Sequence, residues 1–203
     1  MPEMDEKVFI VDDDNAVRDS LCLLLKSVAI GAQGFGSGDD FLAAYTPDWK
    51  GCILLDIRMP GVSGMEVQRR LLDKNCTLPI IFITGHGDIP MAVEAMHLGA
   101  YDFVQKPFHD QELLDRVQQA LSSQRQQQDE LALKRDVQEK FENLTPRERE
   151  VMGDVVRGHA NKVIAMDLEL SQRTVEIHRA RVMEKMGARS LAELVRLSLL
   201  LEQ

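Results

Sequence analysis

The chain has 203 residues, 44% of them apolar and 28% charged, with a net charge of −9. That composition is ordinary for a globular protein with room for one large or two modest domains, and it excludes a disordered chain. No run approaches the roughly 18 uninterrupted apolar residues of a membrane span, and no basic stretch followed by an apolar one opens the sequence, so a cytoplasmic protein without membrane contact is expected.

The cysteines Cys22, Cys52 and Cys76 are odd in number and far apart, with no CxxC pair. Neither a disulfide framework nor a zinc site follows, and they read as small core residues. The charge is unevenly spread. Residues 1–121 carry 10 Lys and Arg against 19 Asp and Glu, residues 122–143 carry 4 against 5, and residues 144–203 carry 10 against 9. Within 171–189, Arg173, Arg179, Arg181, Lys185 and Arg189 face only Glu176 and Glu184. DNA contact, if any, belongs there, and the acidic half must do something else.

In chain order, short apolar runs at Val8–Val11, Ala32–Phe35, Cys52–Leu55, Ile80–Thr84 and Asp102–Gln105 alternate with helical patterns near 15–28, 39–45, 64–73 and 88–98, and another from about 110. This alternation predicts a five-stranded parallel sheet covered on both faces, with its ligand site outside the carboxyl ends of the strands. Asp12 and Asp13 follow the first strand, Asp56 the third, Thr84 the fourth and Lys106 the fifth. Three carboxylates in one pocket repel one another and call for a divalent cation. Oxygen ligands without His or Cys favour Mg²⁺, with Mn²⁺ as the alternative. A carboxylate can receive a phosphoryl group as an acyl phosphate, with Lys106 neutralising its oxygens and the Thr84 hydroxyl donating to one.

Taken singly, each feature has a plain structural reading. Asp14 and Asn15 read as an N-cap cluster, Asp56 before Met59-Pro60-Gly61 as a turn, Lys106-Pro107 as a surface turn and Phe103 as core. Their joint occurrence at one end of one sheet is what argues for a site. Gly34-Phe35-Gly36-Ser37-Gly38 lacks dinucleotide spacing and a Walker lysine, so it reads as loop punctuation. His86 and Cys76 have no motif partner and read as loop residues.

The segments IVDDD (10–14), LLDIRMPGVSG (54–64), FITGHGD (82–88) and YDFVQKPF (101–108) resemble the receiver domain of bacterial two-component response regulators, over residues 6–121. The resemblance implies a flavodoxin-like fold with Asp56 as phospho-acceptor. It implies that Asp12, Asp13, Asp56 and the backbone carbonyl of Arg58 hold Mg²⁺, that Thr84 and Lys106 engage the phosphoryl group, and that Phe103 is an aromatic switch turning inward. It also implies a cis Lys106-Pro107 bond. Self-phosphorylation at Asp56 is the only chemistry expected, so the chain is not expected to be an enzyme.

From Asp110 to Asn143 neither Pro nor Gly occurs, and good helix formers dominate. A long helix is predicted, with 122–143 as the linker between a receiver at 1–121 and a C-terminal domain at 144–203. Leu131, Leu133, Val137 and Phe141 are irregularly spaced, leaving open a solvated connector or a weak dimer contact.

The last sixty residues read as four helices, about 146–157, 161–168, 172–186 and 190–201. Thr145 with Glu148 and Ser190 with Glu193 form capping boxes, and Gly158 and Gly187 stand at expected C-caps. On the third helix Val175, His178, Arg179, Val182 and Met186 share one side, with Arg179 at its flank. The opposite arc carries Arg173, Glu176, Ile177, Ala180, Arg181 and Glu184. LTPREREVM (144–152), NKVIA (161–165) and LSQRTVEIHRARVMEKM (170–186) resemble the LuxR/FixJ/NarL-type helix-turn-helix. By that resemblance 172–186 is the recognition helix and 161–168 the scaffold helix. Glu176, Ile177 and Ala180 would approach bases, and Lys162, Thr174, Arg179, Arg181 and Lys185 would mainly meet phosphates. His178 is expected to pack at the DNA-proximal edge of the core, and Glu184 to stay outside the contact.

Together these imply a transcriptional regulator, probed through its partners: a sensor histidine kinase, double-stranded DNA, a second copy of the chain when phosphorylated, and RNA polymerase. Dimerisation would use the face near residues 88–105 and lead to activation. Two other classes share some features. An aspartyl-phosphate phosphatase would need an insertion able to close over an external phosphoester, which this chain lacks. A phosphorylation-independent DNA-binding protein would not need the complete acidic set.

Overall fold

The computed structural model describes residues 6–85 and 89–201, and falls into two compact units, Met1–Gln127 and Gln128–Gln203. His86 lies outside the described residues.

In the first unit, β1 (Lys7–Val11), β2 (Gly31–Phe35), β3 (Gly51–Asp56), β4 (Ile80–Thr84) and β5 (Asp102–Gln105) form one parallel sheet in the order β2-β1-β3-β4-β5. Period-two alternation sorts its residues. Phe9, Val11, Ile53, Leu55 and Phe82 face a core completed by α2 (Gly38–Ala44), α3 (Gly64–Asp73) and α4 (Ile89–His97). Val8, Ile10, Cys52, Leu54, Ile81 and Ile83 face the opposite core, under α1 (Asn15–Ser27) and the start of α5 (Asp110–Glu142). This is the doubly wound, flavodoxin-like architecture. The strand order reverses between β1 and β3, which puts the crevice outside their carboxyl ends. Cys76 is half-buried against the first core, so it is a packing residue more than a loop residue.

Helix α5 runs unbroken for 33 residues. Its first turns bury Leu113, Val117, Ala120 and Leu121 on the sheet, and Gln124 is buried too, its Oε1 accepting from the Gly51 N–H at 2.8 Å. Further along, Leu131 and Leu133 are exposed, while Val137 is fully buried in the core of the second unit and Phe141 packs against it. The 122–143 segment is therefore not solvated throughout. Its ends pack in the two flanking units, through a buried glutamine and two widely spaced apolar residues that give no visible periodicity.

The second unit contains α6 (Pro146–Val156), α7 (Asn161–Asp167), α8 (Gln172–Met186) and α9 (Leu191–Leu199). Thr145 and Glu148 form the capping box of α6, Ser171 caps α8, Ser190 caps α9, and Gly187 ends α8 with φ of 68°. Val151, Met152, Val155, Ile164, Val175, Val182, Met186 and Leu194 fill the core. Among the described residues, no helix is long and apolar enough to cross a membrane.

Candidate functional site

The acidic site is assembled by three strand ends and two helix starts. Carboxylate oxygens of Asp12, Asp13 and Asp56 lie within 4.8 Å of one another; Asp12 and Asp56 are buried and Asp13 is exposed. Asp12 is held on both oxygens: Oδ1 accepts from the Asp14 N–H at 2.9 Å and Oδ2 from Lys106 Nζ at 2.9 Å. The same ammonium lies 3.5 Å from Asp56 Oδ1. Asp14 serves as the N-cap of α1, accepting from the Ala16 N–H at 2.8 Å. The Lys106-Pro107 bond is cis, and the Lys106 N–H donates to the Thr84 carbonyl at 2.7 Å, joining the last two strand ends.

Thr84 is fully buried, and its Oγ1 is 3.4 Å from the Val104 carbonyl, a long contact within the sheet. Phe103 is half-buried against the core that contains Ala92 and Ala95. Arg58 is exposed in the turn after β3. That turn is tight: the Gly64 N–H donates to the Ile57 carbonyl at 3.0 Å, and a Cβ at Gly64 would lie 2.2 Å from the Asp56 carbonyl oxygen. Gly64→Ala is therefore expected to push the Asp56 backbone and destabilise the first unit by roughly 1–3 kcal/mol, checked by urea unfolding.

Burial pushes the Asp56 carboxyl up to about 6; Lys106 opposes this, and Asp12 and Asp13 add to it. Burial alone would depress the Lys106 ammonium. Its hydrogen bond to Asp12 and the charges of Asp56 and Asp12 outweigh that and raise it. Lys106→Met removes the one influence here that favours ionised Asp56 most. The Asp56 pKa should then rise above about 6, measured by pH titration of its ¹³C-labelled carboxyl resonance.

In the second unit, Arg173, Glu176, Ile177, Ala180, Arg181 and Glu184 are all exposed along one arc of α8, Ile177 at 46%. Val175, Val182 and Met186 are buried on the other. His178 is half-buried between them, and Lys162 is exposed on α7. Thr174 shares a 2.7 Å hydroxyl contact with Ser171 at the start of α8. Arg179, half-buried, donates to Asn161 Oδ1 at 3.0 Å, which ties the recognition helix to the start of α7.

Lys185 departs from its expected surroundings. Its Nζ donates to Glu148 Oε2 at 2.7 Å and to the Asn143 carbonyl at 3.2 Å. Glu148, 2% exposed, is the capping-box residue and also accepts from the Thr145 N–H at 2.9 Å. A structural role for Glu148 beyond capping left no trace in the sequence, because its partner is 37 residues away.

Residues 8–118 match the family described as response regulator receiver domain, and residues 142–198 match bacterial regulatory proteins, luxR family. The chain is a response regulator of the FixJ/NarL class. Nodulation protein W of Bradyrhizobium diazoefficiens is 48% identical to this response regulator, covering 94% of this chain and 84% of the relative. The transcriptional regulatory protein FixJ of the same organism is 43% identical, covering 95% and 94%. Among solved structures, the response regulator StyR superposes with a TM-score of 0.86 at 42% identity, covering 96% of this chain and 98% of that one. Full-length FixJ from B. japonicum gives 0.62 at 41%, covering 98% of each. A receiver domain implies a histidine kinase as partner and a luxR-family domain implies DNA binding, so this response regulator is a transcription factor and not an enzyme.

Proposed function

We propose that Asp56 accepts a phosphoryl group from the phosphohistidine of a sensor kinase and that this event promotes dimerisation and DNA binding by α8. The approach of three carboxylates to within 4.8 Å beside one lysine carries the reading. Lone carboxylates at that spacing repel, and their all-oxygen donor set fits Mg²⁺, or Mn²⁺, held by Asp12, Asp13, Asp56 and the Arg58 carbonyl. The bound dication would supply charge neutralisation for the phosphoryl oxygens.

The remaining work falls to side chains. An Asp56 carboxylate oxygen forms the new O–P bond as the N–P bond of the donor breaks; the imidazole nitrogen keeps the electron pair and takes up a proton from solvent. Lys106, already bridging Asp12 and Asp56, holds one phosphoryl oxygen. Thr84, whose hydroxyl makes only a long contact to Val104, turns to donate to another, and Phe103 moves inward into the space it leaves. The face near residues 88–105 then pairs two chains, and two recognition helices engage paired half-sites with RNA polymerase as the downstream partner. Glu176, Ile177 and Ala180 meet bases; Lys162, Thr174, Arg179 and Arg181 meet phosphates. Lys185, engaged with Glu148, contributes through α8 rather than by its own phosphate contact. The receiver comprises 1–121, the linker 122–143 and the DNA-binding domain 144–203.

Genome-wide capture of DNA fragments by the full-length protein, with and without acetyl phosphate, tests the proposal. Donor-enhanced capture that Asp56→Asn lacks is expected; equal capture in all arms would refute control through Asp56. On a captured site, Glu176→Ala should relax base preference at one position by about 1–3 kcal/mol. Arg181→Ala should weaken all sequences alike and lower the salt slope by about 1, both read by fluorescence anisotropy.

A further inference from the structure

The glycine-rich stretch after β2 has no phosphate to cradle, yet it is placed against the acidic site for another reason. Arg18, in the first turns of α1, reaches back and donates from Nη1 to the Asp12 carbonyl at 2.6 Å, and from Nη2 to Asn15 Oδ1. Its side chain lies across the end of β2. A Cβ at Gly34 would lie 3.5 Å from Arg18 Cδ, and one at Gly36 would lie 3.5 Å from Nη2 and 3.6 Å from Cζ. Between these two glycines, the Phe35 carbonyl accepts the Asp12 N–H at 3.3 Å. The backbone of Asp12 is thus gripped from both sides, by the strand end at its N–H and by the arginine at its carbonyl.

That carbonyl belongs to the peptide joining Asp12 to Asp13. Fixing the plane of this peptide fixes the directions in which both carboxylates leave the backbone. We propose that Arg18, seated on Gly34 and Gly36, is a positioning residue that aims the Asp12 and Asp13 carboxylates at a shared divalent cation. The inference rests on the metal reading given above and adds to it a residue from outside the acidic set. A guanidinium suits the task because its fixed fork spans the carbonyl and the asparagine oxygen together, which a lysine ammonium on a flexible stem does not reproduce.

The alternative role for a cation here is electrostatic, offsetting the carboxylates. The two roles predict opposite signs. If Arg18 acts by charge alone, its removal takes a positive charge away from a dication site, and Mg²⁺ should bind more tightly. If it acts by aiming the ligands, its removal should weaken Mg²⁺ binding by about tenfold, the lower end of what loss of a ligand-orienting partner costs.

The experiment is calorimetric titration of the full-length, metal-free protein with MgCl₂, without phosphodonor. Arg18→Met should bind about tenfold more weakly than wild type and Arg18→Lys should lie between them, with circular dichroism melting confirming that each is folded. Gly36→Leu retains the arginine charge but fills its seat, and should weaken Mg²⁺ in the same direction. Gly36→Ala, whose Cβ would make only ordinary contacts, should stay near wild type. Gly36→Leu keeps the test decisive should Arg18→Met fail to fold. Mg²⁺ binding as tight as or tighter than wild type in folded Arg18→Met, or unchanged in Gly36→Leu, would overturn the inference while leaving the metal site intact. Absence of saturable Mg²⁺ uptake by the wild type, matched by Asp13→Asn, would overturn the metal reading and this inference with it.

Discussion

Asp56→Asn is expected to reduce phosphoryl incorporation from acetyl phosphate to background while making the protein more stable at pH 7. Asparagine keeps the size and hydrogen-bonding edge of the side chain but offers no anionic oxygen to form an acyl phosphate. The stability gain follows from the electrostatics of the metal-free site. Burial holds the Asp56 pKa at about 6, above the ordinary 3.8. A carboxyl whose folded pKa is raised favours the folded state only while protonated, so stability is lost as pH rises from about 3.8 through about 6. At pH 7 the wild type carries that cost in full and the asparagine variant does not. Urea unfolding in EDTA should find Asp56→Asn more stable by about 2 kcal/mol at pH 7, with the difference vanishing below about pH 4. Loss of labelling together with lowered stability at pH 7 would mean that the carboxylates are not mutually strained in the fold.

Lys185→Met has the next largest expected effect, and it concerns the second unit. Removing the ammonium leaves the Glu148 carboxylate, 3% exposed, with the Thr145 N–H as its remaining charge-stabilising contact among those described. An underpaired buried carboxylate costs about 2 kcal/mol, which for a unit of this size lowers Tm on the order of 10 °C. The hydrogen bond from Lys185, with that from Thr145, holds the Glu148 pKa down at about 2 against an ordinary 4.5. For a depressed carboxyl the contribution is present above the unfolded pKa and lost as pH falls through the folded one. Wild type should therefore shed this stability between about pH 4.5 and 2, and Lys185→Met should show a flatter profile over that window. A lysine serving as a phosphate contact alone would behave otherwise: Tm would hold, and the salt slope of DNA binding would fall by about 1. Thermal melting and salt-dependent anisotropy on the same variant separate the two roles.

The sequence by itself determined the strand and helix alternation, the strand ends that carry Asp12, Asp13, Asp56, Thr84 and Lys106, and the helix stops at Gly158 and Gly187. These are local matters: a period of two or 3.6, a cap three residues from its partner, a residue just past a strand. The buried and exposed arcs of α8 were likewise legible, because one helix turns its residues at a known angle. Only the tertiary structure decided which partners meet across distance. It gave Lys185 to Glu148 instead of the solvent-facing arc, and Gln124 to the Gly51 N–H instead of a solvated linker. It also laid Arg18 across Gly34 and Gly36, turning apparent loop punctuation into a seat beside the acidic cluster. Such pairings depend on how separate elements pack, and polar side chains that pair in this way disrupt the hydrophobic pattern no differently from those that face water.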